Sequence, residues 1–161
     1  MKIASWNVNS LRVRLPHLLD WLNTARPAML GLQETKLTDD KFPQKEIAAA
    51  GYHVVFAGQP TYNGVALLAD AALFHPPRNV QINNPHFPDE QARLIAADLH
   101  FTQGSGSMRL ICGYIPNGSE VGSEKFDYKR RWLSACAAWI KQELLTHPHL
   151  AFVGDFNIAP D

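Results

Sequence analysis

Cysteine is scarce in this chain: Cys112 and Cys136 are the only two. Cys112 sits in an apolar strand-like run and Cys136 on a helix-patterned face, so both read as buried thiols in a reducing compartment. No Cys/His spacing suggests a zinc site. An excess of charge is lacking too. Lys+Arg and Asp+Glu both number 15, for a formal net charge of zero. A generally basic nucleic-acid coat is therefore excluded, and any polyanion must be held by local patches or a metal ion. There is no long apolar segment. The start, Met1 to Asn7, lacks the core of a signal peptide, and no run is long enough to span a membrane. Together these absences predict a cytoplasmic protein with no membrane contact. No repeat, low-complexity tract or linker interrupts the sequence. What is present, 161 residues with 46% hydrophobic content, is enough for one domain with a real core.

Patterning supplies the elements. Residues 2–6 read as a short strand. Pro16 predicts the first turn of a helix that carries Leu15, Leu18, Leu19 and Leu22 at helical spacing. Residues 28–32 form a continuous apolar run, as expected for a strand covered on both faces. Residues 52–57 and 65–69 are two further strands, and 94–101 with 108–114 predict a hairpin around Gln103-Gly104-Ser105-Gly106-Ser107. Trp132, Ala135, Cys136, Trp139 and Ile140 make one apolar helical stripe. Residues 150–153 are the last strand. Helices and strands mix without strict alternation, which predicts an α/β sandwich of mixed sheets flanked by helices.

Several polar groups follow these strands. Glu34 directly follows a buried strand, where a carboxylate suits a hard cation such as Mg²⁺; alternatively it is a surface Glu paired with Lys36. Asp155 could orient or deprotonate a water and Asn157 could donate to a phosphate oxygen, with Gly154 allowing a tight turn; Asp and Asn also favour such turns unaided. Tyr114 closes a strand before Ile115-Pro116-Asn117-Gly118, where a phenol could bond a phosphate or a leaving oxyanion. Asn7 is a metal-shell or phosphate ligand, or a polar strand end. Carboxylate, amide and phenol thus stand at the ends of four strands, where ligand sites of open α/β sheets gather. That pattern predicts metal-assisted phosphoryl transfer.

Five motifs then occur in order: Asn7-Val8-Asn9-Ser10-Leu11-Arg12, Leu32-Gln33-Glu34-Thr35-Lys36, Tyr62-Asn63-Gly64-Val65-Ala66-Leu67-Leu68, Tyr114-Ile115-Pro116-Asn117-Gly118 and Gly154-Asp155-Phe156-Asn157. The series resembles the exodeoxyribonuclease III family of the endonuclease/exonuclease/phosphatase superfamily. Lys125-Phe126-Asp127-Tyr128-Lys129 and Trp132 resemble it as well. The resemblance implies a DNase I-like four-layer sandwich and a Mg²⁺-dependent DNA repair nuclease, with Mn²⁺ as a substitute ion. Such enzymes incise duplex DNA 5′ to an abasic site and remove nucleotides from 3′ ends, and no obligate protein partner is expected. By the same resemblance Glu34 is the principal metal ligand, and Asn7, Asp155 and Asn157 join the metal set. Tyr114 and Asp155 are catalytic, Asn157 binds the scissile phosphate, and Arg12 and Asn117 contact DNA.

Family members run on to a Ser-Asp-His motif, and no Asp-His dipeptide exists here. The chain is therefore expected to be the N-terminal portion of a single domain, residues 1–161, cut after Gly-Asp-Phe-Asn and incomplete. On that expectation the two sheets come from two halves of a longer chain, and one face of the first sheet lies uncovered. Two other readings stay open: a hydrolase of the same superfamily acting on RNA, phospholipid or phosphoinositide, and a fragment that only binds nucleic acid through Arg12, Arg14, Lys36, Lys125, Lys129, Arg130 and Arg131.

Overall fold

The computed structural model describes residues 1–158; Ala159, Pro160 and Asp161 of the terminal motif lie outside the described residues. Strands β1 (Ile3–Asn7), β2 (Met29–Gln33), β3 (Tyr52–Ala57) and β4 (Val65–Asp70) form one mixed sheet in the order β1-β2-β4-β3. Strands β5 (Arg78–Ile82), β6 (Leu94–His100), β7 (Ser107–Tyr114) and β8 (Leu150–Asp155) form a second, in sequence order. Helices α1 (Leu11–Ala25) and α2 (Gln44–Ala49) precede the second half of the first sheet, and α3 (Glu124–Thr146) joins β7 to β8.

Three apolar layers hold this together. Met29, Val65, Leu67 and Ala69 of the first sheet pack against Ile95, Ala97, Leu99, Leu110 and Cys112 of the second. Leu11, Leu18 and Leu22 of α1 and Ile47 of α2 cover the other face of the first sheet, over Leu30, Leu32 and Leu68. Trp132, Cys136 and Trp139 of α3 cover Leu94, Ala96 and Ile111. The order is helix, sheet, sheet, helix, the mixed-sheet sandwich flanked by helices that the patterning predicts and the four layers that the family resemblance implies. The sheets approach closely at Gly31, where a Cβ would meet Val153 Cγ2 at 2.6 Å. Every residue of β2 is buried, as its unbroken apolar run requires.

The expectation of an uncovered sheet face is wrong. Both sheets lie within this chain and each has one face on its partner and one under helix. What is open is the side where the edge strands β1 and β8 lie, with Ile3, Trp21, Phe156 and Ile158 exposed. Pro16 is also misplaced by the pattern. α1 starts five residues earlier, so Pro16 is inside the helix and gives no N–H to the Arg12 carbonyl. The start of α1 is instead docked on main chain: Ser10 N donates to Glu34 O at 2.8 Å and Leu11 N to Thr35 O at 3.0 Å. Neither α2 nor β5 is apparent in the sequence. β5 is an edge strand whose Val80 and Ile82 face outward.

One charged cluster is buried at the far end of α3. Arg109 of β7 donates to Asp98 of β6 at 3.0 Å, to Glu143 of α3 at 2.8 Å and to the Asn79 carbonyl of β5 at 2.8 Å. It ties three strands to the helix.

Candidate active site

Two parallel pairings build the site. β1 runs parallel to β2 with Asn7 opposite Gln33, and β7 runs parallel to β8 with Tyr114 opposite Asp155. β1 lies beside β8 across the sandwich. The carboxyl ends of all four strands therefore meet at one place.

Glu34 and Lys36 both adopt left-handed backbone, φ 53° and 54°. Such residues typically carry about 1–3 kcal/mol of strain and persist only where neighbours fix them. Here Thr35 N donates to Gly64 O and Lys36 N to Asn63 O. Gly64 itself has φ 88° and lies so close to Thr35 Oγ1 that no side chain fits. The loop aims both Glu34 and Lys36 inward.

The Asn7 amide is the centre of the cluster. Its Nδ2 donates to Glu34 Oε1 and to Asp155 Oδ2, each at 2.8 Å. Its Oδ1 accepts from Asn9 N at 3.0 Å, which fixes the amide's orientation. Lys36 Nζ holds the other Glu34 oxygen, Oε2, at 2.9 Å and Asn9 Oδ1 at 2.6 Å. Asp155 Oδ1 accepts from Asn157 N at 3.0 Å, an Asx turn. Gly154 plays a different part from the one its position suggests. It lies within β8 and lets that strand approach Gly113, whose oxygen would stand 2.1 Å from an added Cβ.

Electrostatics separates the groups. Burial works to raise the Glu34 carboxyl, but hydrogen bonds from Asn7, Lys36 and Tyr114 and the Lys36 charge outweigh it, so it sits below its ordinary value. Tyr114 is pushed up to about 12, first by burial and then by its bond to Glu34 and the nearby negative charge of Glu34 and Asp155. It is a neutral donor at physiological pH. Arg93 opposes this shift: its guanidinium lies 5.3 Å over the Tyr114 ring and donates to the Tyr114 carbonyl at 3.3 Å.

The structure thus gathers Asn7, Glu34, Tyr114 and Asp155. Asn157 stands beside them in left-handed conformation; its Nδ2 donates to Ile115 O at 2.8 Å, which leaves one amide hydrogen for another acceptor. Arg12 is exposed on α1 and lines a separate groove with Leu37 and Asp39. Asn117 is exposed and its side chain caps Ser119 N. Neither bonds to the cluster among the described residues. Two participants, Arg93 and Gln33, have no role in the sequence reading, and a third, Lys129, has a different one. Arg93 braces Tyr114, and its only signal is a cation just before a buried strand. Gln33 forms the floor, donating to Ser5 Oγ at 3.1 Å and Cys112 Sγ at 3.2 Å. Lys129, a nucleic-acid contact in one reading of the sequence, reaches the Asn157 carbonyl at 2.6 Å.

A family model described as the endonuclease/exonuclease/phosphatase family matches residues 4–161. The chain belongs to this family. It is 35% identical over 162 residues to exodeoxyribonuclease III of Haemophilus influenzae, a match that covers 99% of this chain and 58% of the relative. The structure superposes with a TM-score of 0.88 on the 3′ phosphatase NExo from Neisseria bound to a product DNA hairpin, at 41% identity, covering 100% of this chain and 59% of that one. An AP endonuclease from Archaeoglobus fulgidus gives a TM-score of 0.86 at 34% identity, with 100% and 59% covered. The chain therefore spans about three fifths of the length of these relatives. The four-layer endonuclease/exonuclease/phosphatase fold is shared with them.

The divalent ion that the family resemblance implies can be tested against the donors. Among the described residues no three His, Cys, Asp or Glu side chains cluster. The site offers two carboxylates, Glu34 and Asp155, bridged by one amide. That oxygen-only, sparse set fits Mg²⁺, which takes one or two carboxylates and keeps other positions for water and phosphate.

Proposed function

We propose that this chain carries the metal-binding part of a DNA phosphodiesterase site of the exodeoxyribonuclease III class, acting on abasic duplex DNA and 3′ ends with Mg²⁺, or Mn²⁺ in its place. The observation that carries the proposal is the Asn7 amide bridging Glu34 and Asp155 at the meeting of four strand ends. The DNA relatives support the substrate class. We also propose that residues 1–161 are the N-terminal portion of one such domain, supported by their covering 58% of the curated relative. Two unpaired buried cysteines suit a cytoplasmic setting, and no helix among the described residues is long and apolar enough to cross a membrane.

In this reading Glu34 is the main ligand, Asp155 joins it in the metal set, and the Asn7 amide holds both carboxylates in place. A bound ion would neutralise charge developing on the phosphate oxygens. Asp155 orients the attacking water and accepts its proton. Tyr114, kept neutral by its environment, donates a hydrogen bond to a phosphate oxygen. The second amide hydrogen of Asn157, without an acceptor among the described residues, meets a second oxygen. Arg12 and Asn117, away from the cluster, would contact flanking DNA in this reading.

The test is incision of a duplex with one abasic site, with Mg²⁺ and with chelator, beside Asp155→Ala. Mg²⁺-dependent cutting abolished by the substitution is the expected result in a complete domain. Cutting that survives chelator, or full activity in Asp155→Ala, refutes the reading. A folded chain that does not cut, but cuts once joined to the remainder of such a domain, supports the proposed domain boundary.

A further inference from the structure

The ion pair between Glu34 and Lys36 has a consequence for metal binding. Glu34 has two oxygens, and both are occupied: Oε1 by the Asn7 amide at 2.8 Å and Oε2 by the Lys36 ammonium at 2.9 Å. The pair is largely covered, with side-chain exposures of 26% for Lys36 and 18% for Glu34. Nor is it an accident of two mobile chains. Left-handed backbone at both residues, pinned by Gly64 O and Asn63 O, sets the two side chains facing each other. A divalent ion on Glu34 needs the carboxylate that Lys36 already neutralises. An ammonium at hydrogen-bond distance and a divalent ion cannot share Oε2 without strong repulsion.

We propose that Lys36 is a built-in counter-cation that holds Glu34 in the absence of metal, and that metal binding displaces its ammonium from Oε2 toward Asn9 Oδ1 and an incoming phosphodiester. This deepens the proposed function and rests on Glu34 being the metal ligand. Asn9 is the second anchor that makes the movement short, since Nζ already lies 2.6 Å from its Oδ1. Lys36 weakens binding of the bare ion and rewards binding of ion and polyanion together. By linkage, the nucleic acid then tightens metal binding by the same factor as the metal tightens nucleic-acid binding.

The experiment is Mn²⁺ titration of the DNA-free chain, following the paramagnetic resonance of the free ion, in the wild type, Lys36→Met, Lys36→Gln, Lys36→Arg and Glu34→Gln. Thermal melts confirm folding. A unit charge about 5 Å from a divalent ion alters its affinity by about tenfold even at the dielectric of water. Lys36→Met and Lys36→Gln should therefore bind Mn²⁺ about tenfold more tightly at low salt, with Lys36→Arg near the wild type. Repeating the titration with a short oligonucleotide should show the Lys36→Met advantage shrinking. Unchanged or weaker Mn²⁺ affinity in both neutral variants, while Glu34→Gln loses binding, overturns the counter-cation and leaves the metal site standing. Wild-type affinity in Glu34→Gln overturns the metal site itself. No binding in either the wild type or the neutral variants overturns both.

Discussion

Replacing Gly154 with alanine tests whether strand packing sets the site's geometry. The added Cβ would lie 2.1 Å from Gly113 O, 3.0 Å from its carbonyl carbon and 3.2 Å from its nitrogen. All three are main-chain atoms in the partner strand, so no side chain can swing away. An ordinary carbon–oxygen contact is about 3.3 Å, so β8 must move off β7 by about 1 Å. Asp155 is the next residue. A displacement of that size takes its 2.8 Å bond with Asn7 past the limit of a hydrogen bond. Overpacking of this kind destabilises by about 1–3 kcal/mol. For a domain of this length that corresponds to a midpoint lowered by roughly 3–10 °C. The assay pairs a thermal melt with Mn²⁺ titration of the folded variant. Both readouts should fall, the second because Asp155 no longer faces Glu34 across Asn7. A melting midpoint within about 1 °C of the wild type together with unchanged Mn²⁺ affinity would refute the reasoning.

Removing the buried cation with Arg109→Met strands Asp98 and Glu143 without it and should destabilise by about 3–5 kcal/mol in urea unfolding; adding Asp98→Asn should recover part of the loss. At high pH, burial keeps the phenols of Tyr52, Tyr114 and Tyr128 protonated to about 12, so the stability they lend is complete below the ordinary value of 10 and is lost as pH rises toward 12. Tyrosinate absorbance measured beside unfolding midpoints checks this. At low pH the sign reverses for Glu34. Its lowered carboxyl lends stability above its ordinary value of 4.5 that disappears as pH falls through the folded value, and Glu34→Gln should flatten that acid limb. Lys129→Met should speed amide exchange at Asp155 and Asn157 with little change in global stability. Lys129→Arg should restore protection, and unchanged exchange in Lys129→Met would remove its bracing role.

The layers were legible where burial leaves a periodic trace. β2 reads as an unbroken apolar run because both its faces are covered, and the α3 stripe of Trp132, Cys136 and Trp139 reads at helical spacing because only one face is. β5 left no such trace, since an edge strand with Val80 and Ile82 pointing outward has no inward alternation to show. α2 has only six residues, fewer than two helical turns, so no repeating apolar stripe shows. The division into two sheets within this chain was misjudged because strand pairing is non-local. Nothing local says that β4 inserts between β2 and β3 while β5 opens a second sheet. Pro16 misled because a helix docked by its first main-chain amides on the Glu34 loop can begin well before its proline. At the site, the strand-end polar residues were visible one by one. Their convergence was not, since it depends on two parallel pairings and the packing of β1 against β8.

Local and functional explanations of these residues are not alternatives. Asp155 does form the Asx turn that its sequence favours, and Glu34 does form the ion pair with Lys36. Each local bond removes a freedom that the proposed chemistry needs removed. The Asx turn fixes one oxygen of Asp155, and the Asn7 amide fixes the other. The same amide fixes one oxygen of Glu34 and Lys36 the second. A carboxylate pair held this way needs no reorganisation beyond exchange of one cation for another when a metal ion arrives. Site geometry should then be almost indifferent to metal: amide exchange across Asn7, Glu34 and Asp155 should change little on Mn²⁺ addition, and the measurable movement should be at Lys36. Broad protection gained across all four strand ends would instead mean that the ion, and not the fold, assembles the site.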